Sequence, residues 1–128
     1  MGKSFSVVIP AYNEERAIAL VCGQVLELAK KYALELDVIV VDDGSDDATA
    51  DAAAGCPGVR LIRNPQNFGY GYAIKQGILA ARYGSIIIMD GDGSYPVASI
   101  PDLITTYERG FTMVVGARQG SDYRGSFA

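Results

Sequence analysis

The chain has 128 residues, of which 49% are hydrophobic, and this is enough for one domain with one core. Its formal net charge of −4 argues against a surface that binds nucleic acid, because neutralising phosphates requires clustered Lys and Arg side chains. The chain contains no His, which excludes Ser-His-Asp and Cys-His nucleophiles and the commoner zinc sites.

Apolar segments of strand length alternate with segments of helical periodicity along the chain. In chain order, the predicted strands cover residues 5–9, 38–41, 59–62, 86–89 and 112–115. The first predicted helix follows an N-cap at Asn13, and the second runs from a cap at Ser45 to Gly55. Two further helices are predicted over residues 71–82 and 100–108. Because the strands are continuous apolar runs, this order predicts a three-layer α/β/α fold with a mostly parallel sheet.

The sequence predicts neither a membrane span nor a signal peptide. No apolar run reaches the ~18–20 residues of a membrane span, and the first ten residues lack a signal-peptide pattern. We therefore expect a cytoplasmic location, including the cytoplasmic face of a membrane.

The last segment, "GARQGSDYRGSFA", is polar and Gly-rich after an apolar run, which predicts a domain over residues 1–128 that is truncated at its C-terminal end.

Polar and glycine-rich segments follow four of the predicted strands: "PAYNEE", "DDGSDD", "NPQNFGYG" and "DGDGSYP". The carboxyl ends of parallel strands meet at one edge of a sheet, and ligands of such sheets bind beyond that edge. The sequence therefore predicts a binding site built from these four segments.

The segment "IIIMDGDGSYP" places two carboxylates, Asp90 and Asp92, directly after a buried type of strand. Three interpretations remain open from the residues. The aspartates form a solvated turn, or they hold Mg2+ or Mn2+, which in turn binds a diphosphate. Alternatively, Asp90 is the nucleophile of an aspartyl phosphotransferase like those of the haloacid dehalogenase superfamily, although there the motif normally closes the first strand.

Five segments in order resemble the N-terminal, nucleotide-sugar-binding part of family 2 glycosyltransferases, which have the Rossmann-like glycosyltransferase A fold. They are "VVIPAYNEE", "VIVVDDGSDDAT", "NFGYGYAIKQG", "DGDGSYP" and "VVGAR". The third and fourth look most like the branch that includes dolichyl-phosphate mannose synthase. The resemblance implies an inverting, Mg2+- or Mn2+-dependent transfer of sugar from a UDP- or GDP-sugar to a polyprenyl phosphate. A module that binds a nucleotide sugar without turnover is the alternative.

The resemblance also implies roles for residues near the nucleoside. Pro10, Ala11 and Tyr12 are expected at the nucleobase, on which the ring of Tyr12 would stack. Glu14 is expected near the nucleotide. Asp42 matches the acidic residue that accepts a hydrogen bond from the base, whereas the neighbouring Asp43 is expected only to shape a turn.

The remaining implied roles concern the phosphates and the metal. Asp90 is expected near the ribose and the metal, and Asp92 is expected to be the principal metal ligand, so both are catalytic candidates. Gly69 would let the backbone approach the nucleotide, and Lys75 could reach a phosphate. Arg118 matches a position that faces the phosphate of the acceptor.

Two glycines in "DGDGS" depart from the "DADLQ" of many relatives. Gly91 and Gly93 are expected to loosen that loop, and no Gln side chain is present to assist the site.

Overall fold

The computed structural model of the chain describes residues 3–108 and 114–115, and in this part strands and helices alternate throughout. The strands are β1 (Ser4–Ala11), β2 (Glu35–Asp42), β3 (Val59–Arg63), β4 (Ile86–Ile88) and β5 (Val114–Val115). The helices are α1 (Ile18–Lys31), α2 (Thr49–Ala54), α3 (Tyr70–Ala80) and α4 (Ile100–Glu108), with a short 3-10 helix at Val97–Ser99 before α4.

The five strands form one parallel sheet in the order β3-β2-β1-β4-β5. The chain winds outward from β1 to β3 on one side and then returns to place β4 on the other side of β1. The strand order therefore reverses between β1 and β4, which is where ligands of open α/β sheets bind. This arrangement confirms the predicted fold class.

Alternate residues of the strands supply two hydrophobic layers, because successive side chains point to opposite faces of a sheet. On one face, Val7 and Ile9 belong to a buried cluster with α1, α2 and α4. On the other face, Val8 and Ile39 pack with Ala73 of α3. The sheet thus lies between two layers of helices, and the core residues come from β1, β2 and α1 together with β4 and the other helices.

Both predicted helix caps are wrong, since α1 begins at Ile18 and α2 at Thr49. Asn13 instead has a left-handed backbone with φ of 53°. Its N–H donates to the hydroxyl of Ser45 at 2.8 Å, and its side-chain oxygen accepts a hydrogen bond from the N–H of Asp46 at 2.9 Å. The two polar residues therefore bond to each other's loop, an option that Asn and Ser side chains offer in competition with helix capping.

None of the helices in residues 3–108 is sufficiently long and apolar to cross a membrane. Two residues of the fifth predicted strand, 112 and 113, lie outside the described residues, as does Arg118.

Candidate functional site

A cavity of about 220 Å³ lies beyond the carboxyl ends of β1 and β4, where the strand order reverses. Six of the residues predicted for the nucleotide site are in its wall: Pro10, Ala11, Tyr12, Glu14, Gly69 and Asp90. The structure therefore brings together side chains that are up to 80 positions apart in sequence, although it does not test the role assigned to each. The wall also contains residues for which the sequence predicted no role at the site, among them Asp43, Asn67 and Tyr70.

The segment after β1 is fixed by hydrogen bonds to the first residue of α2 and to the residue before it. The N–H of Glu14 donates to the hydroxyl of Thr49 at 2.8 Å, and the carboxylate of Glu15 accepts a hydrogen bond from the N–H of Ala48 at 3.0 Å. These bonds hold the backbone around Tyr12, whose side chain is 43% exposed. An aromatic ring that is half exposed on a fixed backbone can stack on a planar ligand such as a nucleobase.

The adjacent aspartates at the end of β2 have different surroundings. The side chain of Asp42 is 1% exposed, and this residue does not contribute to the wall of the cavity. Its Oδ1 accepts a hydrogen bond from the N–H of Ser45 at 3.2 Å. Its Oδ2 lies 3.8 Å from Nε of Arg63 and accepts no hydrogen bond from the described residues.

Asp43, by contrast, is both a wall residue and an organiser of the loop before α3. Its Oδ1 accepts a hydrogen bond from the N–H of Phe68 at 2.9 Å, and its Oδ2 accepts one from the N–H of Gly69 at 2.9 Å. The amide of Asn64 donates to Oδ1 as well, at 3.2 Å. A carboxylate at this place also lies next to the N-terminus of α3, where negative charge is favourable. The expectation that Asp43 only shapes a turn is therefore wrong, and the geometry favours Asp43 over Asp42 for contact with a ligand.

Gly69 lies in the wall as predicted, and its backbone explains why glycine is needed there. Its φ of 110° is a conformation that residues with a Cβ rarely adopt. The N–H of Gly69 donates a hydrogen bond to Asp43, so the residue lines the cavity with its backbone while its N–H is bonded within the protein.

The segment "DGDGS" leaves the end of β4 and carries both predicted metal ligands. Asp90 is in the wall of the first cavity, and its Oδ1 accepts a hydrogen bond from the hydroxyl of Tyr70 at 3.0 Å. Asp92 lies in the wall of a second cavity of about 580 Å³, with Glu14 common to both cavities. Its Oδ1 accepts a hydrogen bond from the N–H of Ser94 at 2.8 Å.

Gly91, between the two aspartates, does not loosen the loop as predicted. The residue is buried, and a Cβ placed on it would lie 2.9 Å from Cδ1 of Ile18 and 3.3 Å from Cγ2 of Ile9. The loop therefore packs directly on the end of β1 and the first residue of α1, and a larger side chain at this position would have to displace the tip of Ile18.

Two other predicted site residues are not brought to the cavity by the described structure. Lys75 is exposed on α3 and is not a wall residue of the first cavity. Arg118 lies outside the described residues.

The carboxylates of Asp90 and Asp92 fit a divalent cation that binds together with a nucleotide. Within residues 3–108 and 114–115, no group of three or more His, Cys, Asp and Glu side chains is placed to hold a metal ion. Mg2+ is usually bound by one or two carboxylates together with substrate phosphates, so two aspartates are sufficient when a diphosphate supplies the other oxygens. The arrangement therefore fits an Mg2+ or Mn2+ site that is completed by a nucleotide.

The sequence model of Glycosyl transferase family 2 matches residues 6–127, and the chain belongs to this family. Two similar proteins act on polyprenyl phosphates according to their names. The undecaprenyl-phosphate 4-deoxy-4-formamido-L-arabinose transferase of Photorhabdus laumondii is 38% identical over 93% of the chain. The human dolichyl-phosphate beta-glucosyltransferase is 38% identical over 72% of the chain. These relatives support the polyprenyl-phosphate branch of the family.

Two solved structures of another enzyme share the fold of the chain. Glucosyl-3-phosphoglycerate synthase from Mycobacterium tuberculosis, crystallised with UDP, superposes with a TM-score of 0.71 at 27% identity over 85% of the chain. A second crystal structure of that enzyme contains Mn2+, UDP and glucosyl-3-phosphoglycerate, and its TM-score is 0.68 at 26% identity over 83% of the chain.

The chain spans about a third of the length of these curated relatives, namely 38% of the bacterial and 32% of the human transferase. It spans 41% and 40% of the two solved chains.

Proposed function

We propose that the protein is an inverting, metal-dependent glycosyltransferase that moves a sugar from a nucleotide-diphosphate donor to a polyprenyl phosphate. The observation that carries this proposal is the cavity between the ends of β1 and β4, whose wall combines the segments "PAY" and "DGD" in a member of family 2. The names of the two polyprenyl-phosphate transferases support the acceptor, and the UDP complex of the solved relative supports the donor.

In the proposed complex, the nucleoside of a UDP- or GDP-sugar lies against the end of β1. The ring of Tyr12 stacks on the base. Pro10 and Ala11 provide an apolar contact surface for the base, because they end a buried strand beside the cavity. The buried carboxylate of Asp43 lies in the same wall and can accept a hydrogen bond from the base or the ribose.

Asp90 and Asp92 are proposed to hold the metal ion on the side of the cavity that adjoins β4. Mg2+ or Mn2+ bound there would supply Lewis-acid neutralisation of the leaving nucleoside diphosphate, which is worth several kcal/mol of transition-state stabilisation. Asp90 contributes a carboxylate to the first cavity and Asp92 contributes one to the second, on a loop in which Gly91 packs against β1.

A phosphate acceptor is consistent with the functional groups that the site offers. The oxygen of a polyprenyl phosphate is already anionic, so its attack on the sugar requires no strong general base. No His is available in the chain for that task. For an acceptor hydroxyl, the candidate bases within this chain are the carboxylates of the site.

The proposal is tested by incubating the protein with UDP- and GDP-sugars, MnCl2 and a polyprenyl phosphate, with the phosphate-free polyprenol as the matched control. We expect nucleoside diphosphate release and a glycolipid product only with the phosphate, and NMR of that product should show an inverted anomeric centre. Donor binding without release would identify a nucleotide-sugar-binding module, and the absence of donor binding would contradict the proposal as a whole.

An aspartyl phosphotransferase is not favoured. The family match covers residues 6–127, and Asp90 follows the fourth strand of the chain instead of the first. Incubation with beryllofluoride provides a direct check, because a phosphotransferase nucleophile would be trapped and a metal ligand would not.

A further inference from the structure

Tyr70 is the first residue of α3, and its side chain spans the distance between that helix and the loop after β4. The phenol hydroxyl donates to Oδ1 of Asp90 at 3.0 Å, and both residues are in the wall of the first cavity. A bridge between two segments of a cavity wall either holds one of them in place or blocks entry to the cavity.

The backbone that carries Tyr70 is held firmly at its N-terminal side. Asp43 accepts hydrogen bonds from the N–H groups of Phe68 and Gly69, both at 2.9 Å, which fixes the start of α3 to the end of β2. The α3 helix in turn packs on β1 through Ala73 and Val8. The phenol is therefore presented to Asp90 from a rigid part of the fold and not from a free loop.

The hydrogen bond from the phenol of Tyr70 is compatible with metal binding by the carboxylate of Asp90. An ionised carboxylate offers about four lone-pair sites on two oxygens, so the hydrogen bond from Tyr70 occupies only one of them. A phenol is also a neutral donor at pH 7, and it orients the carboxylate without cancelling the charge that attracts a cation. A Lys or Arg side chain at the same place would compete with a metal ion for that charge.

We propose that Tyr70 is a positioning residue, which holds the carboxylate of Asp90 in the orientation in which it binds the metal ion and the nucleotide. This inference rests on the proposed function, because it assigns Tyr70 to the same site. It predicts that the hydroxyl contributes to binding only when the metal is present.

The test compares Tyr70→Phe with wild type, and Tyr72→Phe is the matched control. Tyr72 lies on the same helix, is 51% exposed, packs its ring on Phe68 at a centroid distance of 5.0 Å, and is not in the wall of the cavity. Calorimetry measures the Kd of UDP and of GDP with MnCl2 and with EDTA. The EPR signal of free Mn2+ gives the metal affinity of the nucleotide complex.

We expect Tyr70→Phe to weaken Mn2+-dependent nucleotide binding about three- to tenfold, as for the loss of one hydrogen bond to a charged group at a partly exposed site. Binding in EDTA should stay within about twofold of wild type, and Tyr72→Phe should match wild type throughout.

Three results would overturn the inference while leaving the proposed function intact. Unchanged affinity in MnCl2 would show that the hydrogen bond from Tyr70 to Asp90 does not contribute to binding. Tighter binding would show that the phenol obstructs the cavity and that the ligand must displace it. Equal weakening in MnCl2 and in EDTA would show that Tyr70 contacts the nucleotide directly. If wild type itself binds neither UDP nor GDP in MnCl2, both the proposed function and this inference are wrong.

Discussion

The two edges of the parallel sheet both contain aspartates, and these aspartates are stabilised in different ways. At the amino-terminal edge, Asp37 accepts a hydrogen bond from the guanidinium of Arg60 at 2.7 Å, from the N–H of Arg82 at 2.9 Å and from the hydroxyl of Ser6 at 2.9 Å. At the carboxyl-terminal edge, the donors to Asp43, Asp90 and Asp92 described above are backbone N–H groups, an amide and a phenol, all of which are neutral.

The difference separates an aspartate that stabilises the fold from aspartates that are suited to a ligand. A guanidinium cancels the charge of Asp37 and leaves nothing for a cation to bind. Neutral donors orient a carboxylate and keep its charge, which is unfavourable beside other carboxylates until a cation arrives. Sites that store unfavourable electrostatics in this way commonly exchange stability for function.

The largest effect on stability is expected for Asp37→Asn at the amino-terminal edge. The side chain of Asp37 is 1% exposed, and its loss as a charged acceptor leaves Arg60 without its ion-pair partner. We expect the free energy of unfolding to fall by about 3 kcal/mol. Chemical denaturation measures this change, and nucleotide affinity at a temperature where the variant is folded should equal that of wild type.

The same aspartate should contribute to acid sensitivity. Burial raises the pKa of Asp37, but hydrogen bonds from Arg60, the Arg82 N–H and Ser6 outweigh burial and place the pKa below its usual value. A carboxyl whose pKa is lower in the folded state stabilises the protein fully above its unfolded pKa, about 3.9, and loses this contribution as the pH falls through the folded value. Wild type should therefore lose more stability than Asp37→Asn between about pH 5 and pH 2. Parallel pH profiles would contradict this account of the amino-terminal edge.

An intermediate effect is expected for Asp43→Asn, which changes both stability and binding. The amide presents an N–H2 group where Oδ1 or Oδ2 now accepts from the N–H of Phe68 or Gly69, so one partly buried donor loses its acceptor. We expect a loss of about 2 kcal/mol in the free energy of unfolding and weaker nucleotide binding.

Asp42→Asn is the matched control for this substitution, since Asp42 is the adjacent buried aspartate and does not line the cavity. It should leave nucleotide affinity unchanged. Weaker binding in Asp42→Asn than in Asp43→Asn would restore the assignment of the base contact to Asp42 and would contradict the geometry of the cavity wall.

The fold could be predicted from the sequence because its signals are local and repeated. The continuous apolar runs of β1 and β2 are buried on both faces, and this is what a parallel sheet requires. The starts of α1 and α2 could not be predicted in the same way. Asn13 and Ser45 have the chemistry of caps, but they pair with each other's loops across 32 positions of sequence, and no local pattern contains that contact.

The candidate site likewise has features that the sequence could predict and features that it could not. "DGDG" and "PAY" follow the strands that flank the point where the order reverses, so their meeting at one cavity could be predicted. Which of Asp42 and Asp43 faces the cavity depends on the alternation of side chains at the very end of β2, and the sequence "DDGS" fits either choice. The bridge from Tyr70 to Asp90 joins two segments that lie 20 positions apart in the sequence, so only the folded structure reveals it.

The smallest effect on stability is expected for Asp92→Asn, which tests the carboxyl-terminal edge directly. The amide keeps an oxygen that can accept the hydrogen bond from the N–H of Ser94, so the turn should persist. Removing the charge lowers the affinity for a divalent cation, and we expect Mn2+-dependent nucleotide binding to weaken about tenfold, or about 1.4 kcal/mol. The free energy of unfolding without metal should stay the same or rise slightly, because one carboxylate near Asp90 is removed.

Asp46→Asn is the matched control for that charge change, because Asp46 is an exposed aspartate in the wall of the same second cavity. Calorimetry with MnCl2 and with EDTA compares both variants with wild type. If the whole negative surface attracts the cation, Asp46→Asn and Asp92→Asn should weaken metal-dependent binding equally. If Asp92 is a metal ligand, the loss should occur in Asp92→Asn alone and should vanish in EDTA. Unchanged binding in Asp92→Asn would mean that the aspartates after β4 form a turn and not a metal site, and the contrast between the two edges of the sheet would no longer indicate where the ligand binds.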